Sequence, residues 1–228
     1  MNLLNFEVVA EYWPVFLQGL MLTVLLTIAS AVLATALAVP IALARLSTSR
    51  ILRWPASAFV EFLRATPLIL QLIYIYYVLP AAGIRLDPIP AAIVGLSLHY
   101  AAYVSEVFRG GILSIPKGQT EAALSLGLSN FLCFRKIILP QTVRVILPTL
   151  GNYLISLFKD TAIASVVTVQ ELMFSGQIIA ARNFQYFTIY TVTAILYFAV
   201  CYPSGLAVRS LEDHTRRGLI DKPVKAVK

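Results

Sequence analysis

The sequence predicts an all-α integral membrane protein, and three features of its composition and pattern indicate that class. Of its 228 residues, 59% are hydrophobic and only 13% are charged, whereas an ordinary soluble domain carries about 25% charged residues. Long stretches without charge recur, and one of them, residues 12–44, is long enough to cross a bilayer. Lysine and arginine are concentrated in alternate connecting segments. This length fits a single transmembrane domain, residues 1–228, without an appended soluble module.

The first two spans follow from the distribution of charge. A helix needs about 20 apolar residues to cross the hydrocarbon layer. The first span lies within residues 15–44, inside the uncharged stretch. The second, residues 55–80, carries Glu61 and Arg64 in its first half and then continues without charge towards a run of tyrosines. Aromatic side chains favour the membrane interface, so these tyrosines predict the far end of the span.

Three further spans complete the predicted set of five. The third, residues 91–112, includes His99, for which a neutral, hydrogen-bonded packing role is expected. The fourth, residues 145–168, is broken by two adjacent charged residues, and the more polar stretch after it predicts a short helix at the outer surface. The last, residues 184–208, precedes a basic tail.

Lysine and arginine also orient the predicted bundle. Thirteen of them lie in the loop after the first span, in the segment 113–144 and in the tail 209–228. The opposite side has two, Arg85 and Arg182. Because these residues collect on the cytoplasmic side of membrane proteins, the N-terminus is predicted outside. The segment 113–144 and the C-terminus are predicted in the cytoplasm.

The segment 113–144 predicts a short helix, a turn and a second helix. Gln119 to Leu126 are good helix formers. Gly127 suits the left-handed position that ends a helix, and Ser129 can cap the helix that follows. Pro140 is predicted to interrupt the helical pattern.

Two pairs of opposite charges lie within predicted spans. Glu61 precedes Arg64 by three residues, and Glu106 precedes Arg109 by the same spacing, which places each pair on one helix face. Charges are costly in hydrocarbon and normally face a bundle interior or a water-filled path. Both pairs fall near the cytoplasmic ends of their spans, so structural pairs are the favoured interpretation. Direct contact with a substrate is the alternative.

Lys159 and Asp160, followed by Thr161, lie deeper in the membrane. Fifteen residues separate Lys159 from Arg144, a rise of about 22 Å in a helix, which passes the middle of a hydrocarbon layer of about 30 Å. Neighbouring helical side chains do not face each other, so each charge needs another partner. A zwitterionic amino acid would offer one group of each sign. A lining or gating role on a substrate path is favoured, and a structural ion site is the alternative.

Four segments resemble the permease subunits of polar amino-acid ABC importers. In chain order they are EFLRATPLILQL (61–72), AAYVSEVFRGGILSIPKGQTEAALSLGLS (101–129), ILPQTVRVILPTLGNYLISLFKDTAIASVV (138–167) and QEL (170–172). The resemblance extends over roughly residues 19–211. Within it, Glu-Ala-Ala at 121–123, with a glycine six positions after the glutamate, is similar to the EAA loop of that family. There a short helix docks into a groove of the ATPase subunit.

The resemblance implies two sets of site residues. The ATPase-coupling positions are Gly118, Gln119, Glu121, Ala122, Ala123 and Gly127. Lys159, Asp160 and Thr161 match a motif on the helix that lines the path, and Arg64, Thr66 and Pro67 match a family motif without an assigned role. With Glu61 and Glu106, these six residues make up the predicted substrate path. Ala162 departs from the pattern, because many relatives have serine there.

The resemblance further implies a type I importer transmembrane domain in a bacterial inner membrane. Its expected partners are an identical or paralogous second permease subunit, two cytoplasmic ATPase subunits, an extracytoplasmic solute-binding protein, the amino-acid substrate and membrane lipid, with no nucleic acid. The chain itself is expected to be non-catalytic and to hold no cofactor, since ATP and Mg bind to the partner ATPase. Residues 83–103 are most similar to cystine-type permeases; basic, acidic and amide amino acids and compatible solutes stay open.

Two other classes of protein fit the sequence less well. An ion-coupled secondary amino-acid transporter could also place Lys159 and Asp160 at mid-membrane, but it gives no reason for the EAA loop, and no internal repeat is evident. A membrane enzyme needs a set of catalytic groups or a metal cluster, and the sequence shows neither pattern. A phosphate-binding loop is also absent from the sequence, so ATP hydrolysis is not expected in this chain.

Overall fold

The computed structural model describes residues 4–220, with side chains described up to Asp213, and helices dominate this part of the chain. The α-helices are α1 (Phe6–Leu46), α2 (Arg50–Ala65), α3 (Leu68–Ile73), α4 (Pro88–Ser114), α5 (Lys117–Ser125), α6 (Asn130–Cys133), α7 (Leu139–Asp160), α8 (Leu172–Asn183) and α9 (Tyr186–Ile220). In the basic tail, Lys222, Lys225 and Lys228 lie outside the described residues, as do the side chains of Arg216 and Arg217.

Helix α1 packs through a face of small and hydroxyl-bearing residues. It has 41 residues, a length of about 60 Å. The buried residues of this face include Gly19, Thr23, Thr27, Ser30, Ala34, Ala38 and Ala42. The Thr23 and Thr27 hydroxyls donate to carbonyls one turn earlier, at 3.0 and 2.7 Å. Small side chains let helices approach closely in a membrane, and α4 lies along this face.

The second predicted span, residues 55–80, is two helices at a steep angle. The axis turns by 106° between α2 and the stretch Leu68–Ala82. The turn falls at Thr66 and Pro67, because proline disfavours the helical conformation of the residue before it, and Thr66 is extended. Helix α3 continues as a π-helical turn, Tyr74–Val78, and a 3₁₀ turn, Leu79–Ala82.

Helix α4 is the centre of the bundle and contacts α1, α2, α3 and α7. Its buried positions are mostly small, and Gly95 shows why. A Cβ at Gly95 would lie 2.5 Å from the Cδ2 atom of Leu72, so a larger residue there would force the Leu72 side chain to move. The core around this contact includes Leu26, Leu96 and Leu157.

The cytoplasmic segment forms the predicted helix, turn and helix. Helix α5 ends at Ser125, Gly127 follows with φ +79°, and the Ser129 hydroxyl caps α6 by accepting the Leu132 amide at 3.4 Å. The prediction for Pro140 was wrong. The chain is helical on both sides of it, because α6 runs through a π-helical turn, Phe134–Ile138, into α7. Pro140 lies in the first turn of α7, where its missing amide is tolerated.

The last part of the chain bends once before its final helix. Helix α7 passes into a 3₁₀ helix, Thr161–Val167. After a turn at Thr168, α8 continues at 52° to the preceding helices. Helix α8 corresponds to the short polar helix predicted after the fourth span, and it buries one face against α1 and α9.

Within residues 4–220, three helices are long and apolar enough to cross a membrane, and five spans result if each bent pair counts as one. The three are α1, α4 and the Tyr186–Asp213 part of α9. The bent pairs are α2 with α3, and the Asn130–Val167 stretch with α8. The five predicted spans fall on these elements, and their membrane boundaries stay predictions.

Candidate functional site

The predicted coupling residues lie on two opposite faces of α5. Gly118, Glu121 and Ala122 point outwards and are exposed. On the other face Ala123 is buried beside Cys133 and Ile138. A buried alanine between exposed neighbours attaches the short helix to the bundle while leaving its outer face free.

The remaining coupling residues set the position of α5. The Gln119 side-chain oxygen accepts from the Gln141 amide on α7 at 3.3 Å. At the end of the helix, the Gly127 amide donates to the Leu124 carbonyl at 2.9 Å and the Leu128 amide donates to the Ala123 carbonyl at 3.2 Å. This pair of bonds is a Schellman motif, which requires a left-handed residue. Gly127 is therefore a turn residue, and it does not contribute a side chain to a surface.

Glu106 is the centre of an ionic cluster near the predicted cytoplasmic ends of α1, α2 and α4. Its carboxylate accepts from Arg109 Nε and Nη2, both at 2.9 Å. It also pairs with Arg45 of α1, whose side chain is 11% exposed, and lies 3.8 Å from Arg64 Nη1. One carboxylate thus joins guanidinium groups from three helices. The predicted local pair of Glu106 and Arg109 is confirmed.

Glu61 and Arg64 do not form the local pair that their spacing predicted. Glu61 Oε1 instead lies 3.8 Å from Arg45 Nη2, and the Glu61 side chain is 68% exposed. Arg64 turns towards Glu106 and stacks over the Tyr103 ring, with its Cζ atom 5.4 Å from the ring centroid. Glu61 and Arg64 are therefore paired across helices, where sequence spacing gives no information.

The break at Thr66 and Pro67 is closed by the side chain of Gln71. A continuous helix would pair the Leu63 carbonyl with the amide of residue 67, but proline has none. The Gln71 Nε2 atom donates to the Leu63 carbonyl at 2.8 Å, and it also contacts the Thr66 hydroxyl and carbonyl at 2.8 and 3.2 Å. An unsatisfied carbonyl is costly at membrane depth, so Gln71 stabilises the bend.

His99 connects this break to α4. Its Nδ1 atom lies 3.2 Å from Gln71 Oε1, and since an amide oxygen only accepts, Nδ1 is the donor. The interpretation of His99 as a hydrogen-bonded packing residue is thus confirmed. The same bond fixes the orientation of the Gln71 amide.

Asp160 finds its partner on α4. The Tyr100 hydroxyl donates to Asp160 Oδ2 at 2.6 Å. Tyr100 belongs to an aromatic cluster with His99, Tyr103 and Tyr153, whose ring centroids lie 5.1 to 6.3 Å apart. Because Arg64 covers Tyr103, the cluster connects a guanidinium group on α2 to a carboxylate on α7.

The other two residues of the Lys-Asp-Thr motif face elsewhere. Lys159 is exposed. Thr161 is buried, and its hydroxyl donates to the Phe158 carbonyl at 2.7 Å. The structure therefore brings Asp160 to the aromatic cluster and leaves Lys159 exposed.

Glu171 is a further buried carboxylate, which was not predicted as a site residue. It caps α8 by accepting the amides of Met173 and Phe174 at 2.9 and 2.8 Å, and it accepts the Tyr197 hydroxyl at 2.9 Å. The neighbouring Leu172 amide donates to Thr23 of α1 at 3.1 Å. These bonds hold the bend before α8 against α1 and α9. A carboxylate directly before an apolar helix, where it meets the positive end of the helix dipole, is the pattern that could have indicated this cap.

An apolar crevice of about 350 Å³ lies beside Tyr100 and Tyr153, between α1, α4, α7 and α9. Aliphatic side chains such as Leu147, Leu154 and Val208 make up most of its wall, and none of the predicted site residues belongs to it. No charged side chain among the described residues lines it, so it offers no group that could form an ion pair with either end of an amino acid. The polar groups that could do so lie around Asp160, Arg64 and the tyrosines between them.

Comparison with known proteins gives consistent results at the levels of family, sequence and fold. The family described as "Binding-protein-dependent transport system inner membrane component" matches residues 34–217. The probable amino-acid ABC transporter permease protein YckA of Bacillus subtilis (strain 168) is 40% identical over 208 residues, which are 91% of this chain and 92% of the relative. The L-cystine transport system permease protein TcyB of the same organism is 42% identical over 203 residues, 89% of this chain and 87% of the relative.

The fold agrees with this similarity. A crystal structure of an amino acid ABC transporter with histidines contains a chain that matches with a TM-score of 0.84 and 33% identity, over 94% of this chain and 99% of that chain. Importers of this type combine a membrane-crossing permease with a separate ATPase and a binding protein. The chain therefore belongs to the inner membrane components of binding-protein-dependent transport systems and is the permease subunit of an ABC importer.

Proposed function

We propose that this permease carries a polar amino acid and that cystine or a cystine-like compound is its substrate. The observation that carries the proposal is the 42% identity over 203 residues with a permease of an L-cystine transport system. The similarity to YckA, a probable amino-acid permease, supports the wider substrate class.

The proposed assembly contains two permease subunits, two cytoplasmic ATPase subunits that bind ATP and Mg, and a solute-binding protein outside. The outward face of α5 docks into a groove of the ATPase. A Cβ at Gly118 would have no neighbour within 4 Å among the described residues, so the small residue there is not required by their packing. This supports a flat contact with another protein around Glu121 and Ala122.

Movement of the ATPase reaches the path through continuous secondary structure. Helix α5 is attached by buried Ala123 to the π-helical turn Phe134–Ile138, and that turn leads directly into α7. Asp160 ends α7. Closure of the ATPase dimer on ATP would therefore move both ends of α7 together, and hydrolysis would allow the return.

Asp160 is the proposed contact for the α-ammonium group of the substrate, and Arg64 for its carboxylate. The Tyr100 hydroxyl donates to only one Asp160 oxygen, Oδ2, so the carboxylate keeps acceptor capacity. Arg64 is 39% exposed and its Glu106 contact is long, at 3.8 Å. The tyrosines between the two groups provide an amphipathic wall. Lys159, Thr161, Thr66, Pro67, Glu61 and Glu106 then support the path without direct substrate contact.

Uptake into liposomes tests the proposed function. The permease and the ATPase encoded beside it are reconstituted, with the binding protein outside and a labelled amino-acid panel that starts with cystine. We expect uptake only with internal ATP and binding protein, and we expect Glu121→Lys to abolish it because the docking face is reversed in charge. Glu11→Gln, on the opposite side, is the matched control. Uptake driven by an ion gradient without ATP would contradict the proposal.

The substrate contact at Asp160 is tested separately with two variants, of which Asp160→Asn keeps an acceptor for the Tyr100 hydroxyl and Tyr100→Phe removes the hydrogen bond. Asp160→Asn removes the charge, whereas Tyr100→Phe removes only the hydroxyl. We expect Asp160→Asn to lower uptake by at least about 10-fold, the loss of one charged contact, and Tyr100→Phe to cost much less. Uptake that is retained in Asp160→Asn but lost in Tyr100→Phe would mean that the Tyr100 bond, and not the charge, is what transport needs.

A further inference from the structure

We infer that α2 lies in the plane of the membrane and binds anionic phospholipid headgroups of the cytoplasmic leaflet through Arg50 and Arg53. The inference concerns Arg50, Arg53 and the exposed apolar residues of α2, which the proposed function does not use. It depends on the exposure pattern of α2, on its angle to α3 and on the pairing of the arginines around it.

The residues of α2 divide into three sectors around the helix axis when each step is taken as 100°. Val60 and Leu63 are buried against α1 and α4. A broad apolar sector is exposed and contains Ile51, Leu52, Pro55, Phe59 and Phe62. The remaining sector is polar and contains Arg50, Arg53, Ser57, Glu61 and Arg64. The exposed apolar sector lies opposite the polar one, which is the pattern of an interfacial helix.

Contacts with α4 show which way these sectors point. Leu63 packs in the same cluster as Ala102, whereas Arg64 reaches Glu106 at 3.8 Å. Glu106 is one helical turn, about 6 Å, nearer to the predicted cytoplasmic end of α4 than Ala102. The polar sector therefore faces the cytoplasm and the opposite sector faces hydrocarbon. The turn of 106° into α3 is consistent with a helix that lies across the membrane normal.

Arg50 and Arg53 are the charges that α2 leaves available. Arg45 and Arg64 are engaged by Glu106 and Glu61, but Arg50 and Arg53 have no carboxylate within 4.0 Å among the residues whose side chains are described. They are three positions apart and both are exposed. Cations on the cytoplasmic side of a membrane attract anionic lipid headgroups, and Arg donates in pairs to phosphate oxygens.

The occupant is lipid because the apolar sector and the free cations lie on opposite sides of one helix. A bilayer offers hydrocarbon to the apolar side of such a helix and phosphate groups to its charged side. The surface of a protein partner would contact only one of these two sides unless it surrounded the helix. Trp54 is 75% exposed beside Arg53, in the position that tryptophan favours at the headgroup level. This tryptophan also reports directly on the lipid that lies against α2.

Quenching of Trp54 fluorescence tests the inference. Trp13→Phe in the full-length chain leaves Trp54 as the only tryptophan, since the sequence has two. The protein is reconstituted in phosphatidylcholine liposomes that contain increasing fractions of brominated phosphatidylglycerol or brominated phosphatidylcholine. The expected result is stronger association of the anionic lipid, by up to about 5-fold for each arginine, with a preference that declines as salt is added.

Three further variants determine where the preference comes from. Arg50→Gln with Arg53→Gln should bring the ratio of the two lipids close to one, and Arg50→Lys with Arg53→Lys should retain most of it. Arg85→Gln, on the predicted outer side, should leave it unchanged. An equal association of both lipids, or a preference that survives the double Gln variant, would overturn the inference. So would the absence of quenching by either lipid, which would mean that protein covers Trp54.

Discussion

At the scale of single residues, Gln71 compensates for a bond that the backbone cannot make. Its amide takes the place of the Pro67 amide at the Leu63 carbonyl, at 2.8 Å, and His99 holds that amide in orientation. Gln71 lies four positions after Pro67 in an uncharged stretch. This spacing of about one helical turn lets its side chain reach back to the Leu63 carbonyl.

Replacing Gln71 with Leu is expected to lower the stability of the purified permease. The change leaves the Leu63 carbonyl without a partner, a loss on the order of 1–3 kcal/mol for a buried group. Thermal unfolding in detergent measures it. Gln18→Leu is the matched control, because Gln18 is exposed on α1 and its loss should not lower stability. Equal stability of the two variants would contradict the role assigned to Gln71.

Residue-level predictions from sequence succeeded where the partner is close in the chain. The Glu106 and Arg109 pair is local and was found. The Arg45 contact with Glu106 joins residues 61 positions apart, and it depends on the packing of α1 against α4. The contact of Asp160 with Tyr100 likewise depends on packing, in this case of α7 against α4. Spacing predicted only that Asp160 needed a partner.

At the scale of elements, α5 was the most predictable part of the molecule. Helix formers, a glycine and a capping serine lie within a dozen residues, and each acts on its immediate neighbours. The bend between α2 and α3 was harder to predict from the sequence, because Pro67 indicates that the helix breaks but not at what angle. The angle follows from the packing of Val60 and Leu63 against α1 and α4.

Two glycines of the coupling segment should respond differently to substitution by alanine. Gly127 has φ +79°, which alanine adopts at a cost of roughly 1–2 kcal/mol. Gly118 is helical with open space around its Cβ position, so alanine there should stabilise the free permease slightly. Thermal unfolding of the Gly127→Ala and Gly118→Ala variants measures this difference in stability. A Gly127→Ala protein as stable as Gly118→Ala would contradict the Schellman turn as the device that ends α5.

For the whole molecule, the predicted orientation in the membrane rests on the numbers of lysines and arginines on its two sides, and the fold itself does not test that orientation. Thirteen cations on one side against two on the other predict a cytoplasmic α5 and an external Arg85. Composition alone indicated the all-helical membrane class. The family resemblance, and not the residue pattern, supplied the assembly with an ATPase and a binding protein.

Thiol labelling checks this orientation. Cys133→Ser and Cys201→Ser remove the free cysteines, and Gly118→Cys or Arg85→Cys then adds a single exposed thiol. A membrane-impermeant maleimide should label position 85 in intact cells and position 118 only in inverted vesicles. Labelling of position 118 from outside would reverse the topology and remove α5 from the reach of a cytoplasmic ATPase.

The π-helical turn Phe134–Ile138 has a consequence for sequence length. A π turn holds one residue more than an α turn over a similar rise, and each added residue rotates the remainder of the helix by about 100°. Helix α5 is attached before this turn, and Asp160 ends the helix after it. Because the π turn already accommodates one extra residue, deletion of one residue here would convert it to an α turn and leave Asp160 facing Tyr100, whereas insertion of one residue would rotate Asp160 by about 100° away from Tyr100. The number of residues between Ser129 and Pro140 therefore sets the direction in which Asp160 points relative to the face of α5 that is proposed to dock onto the ATPase.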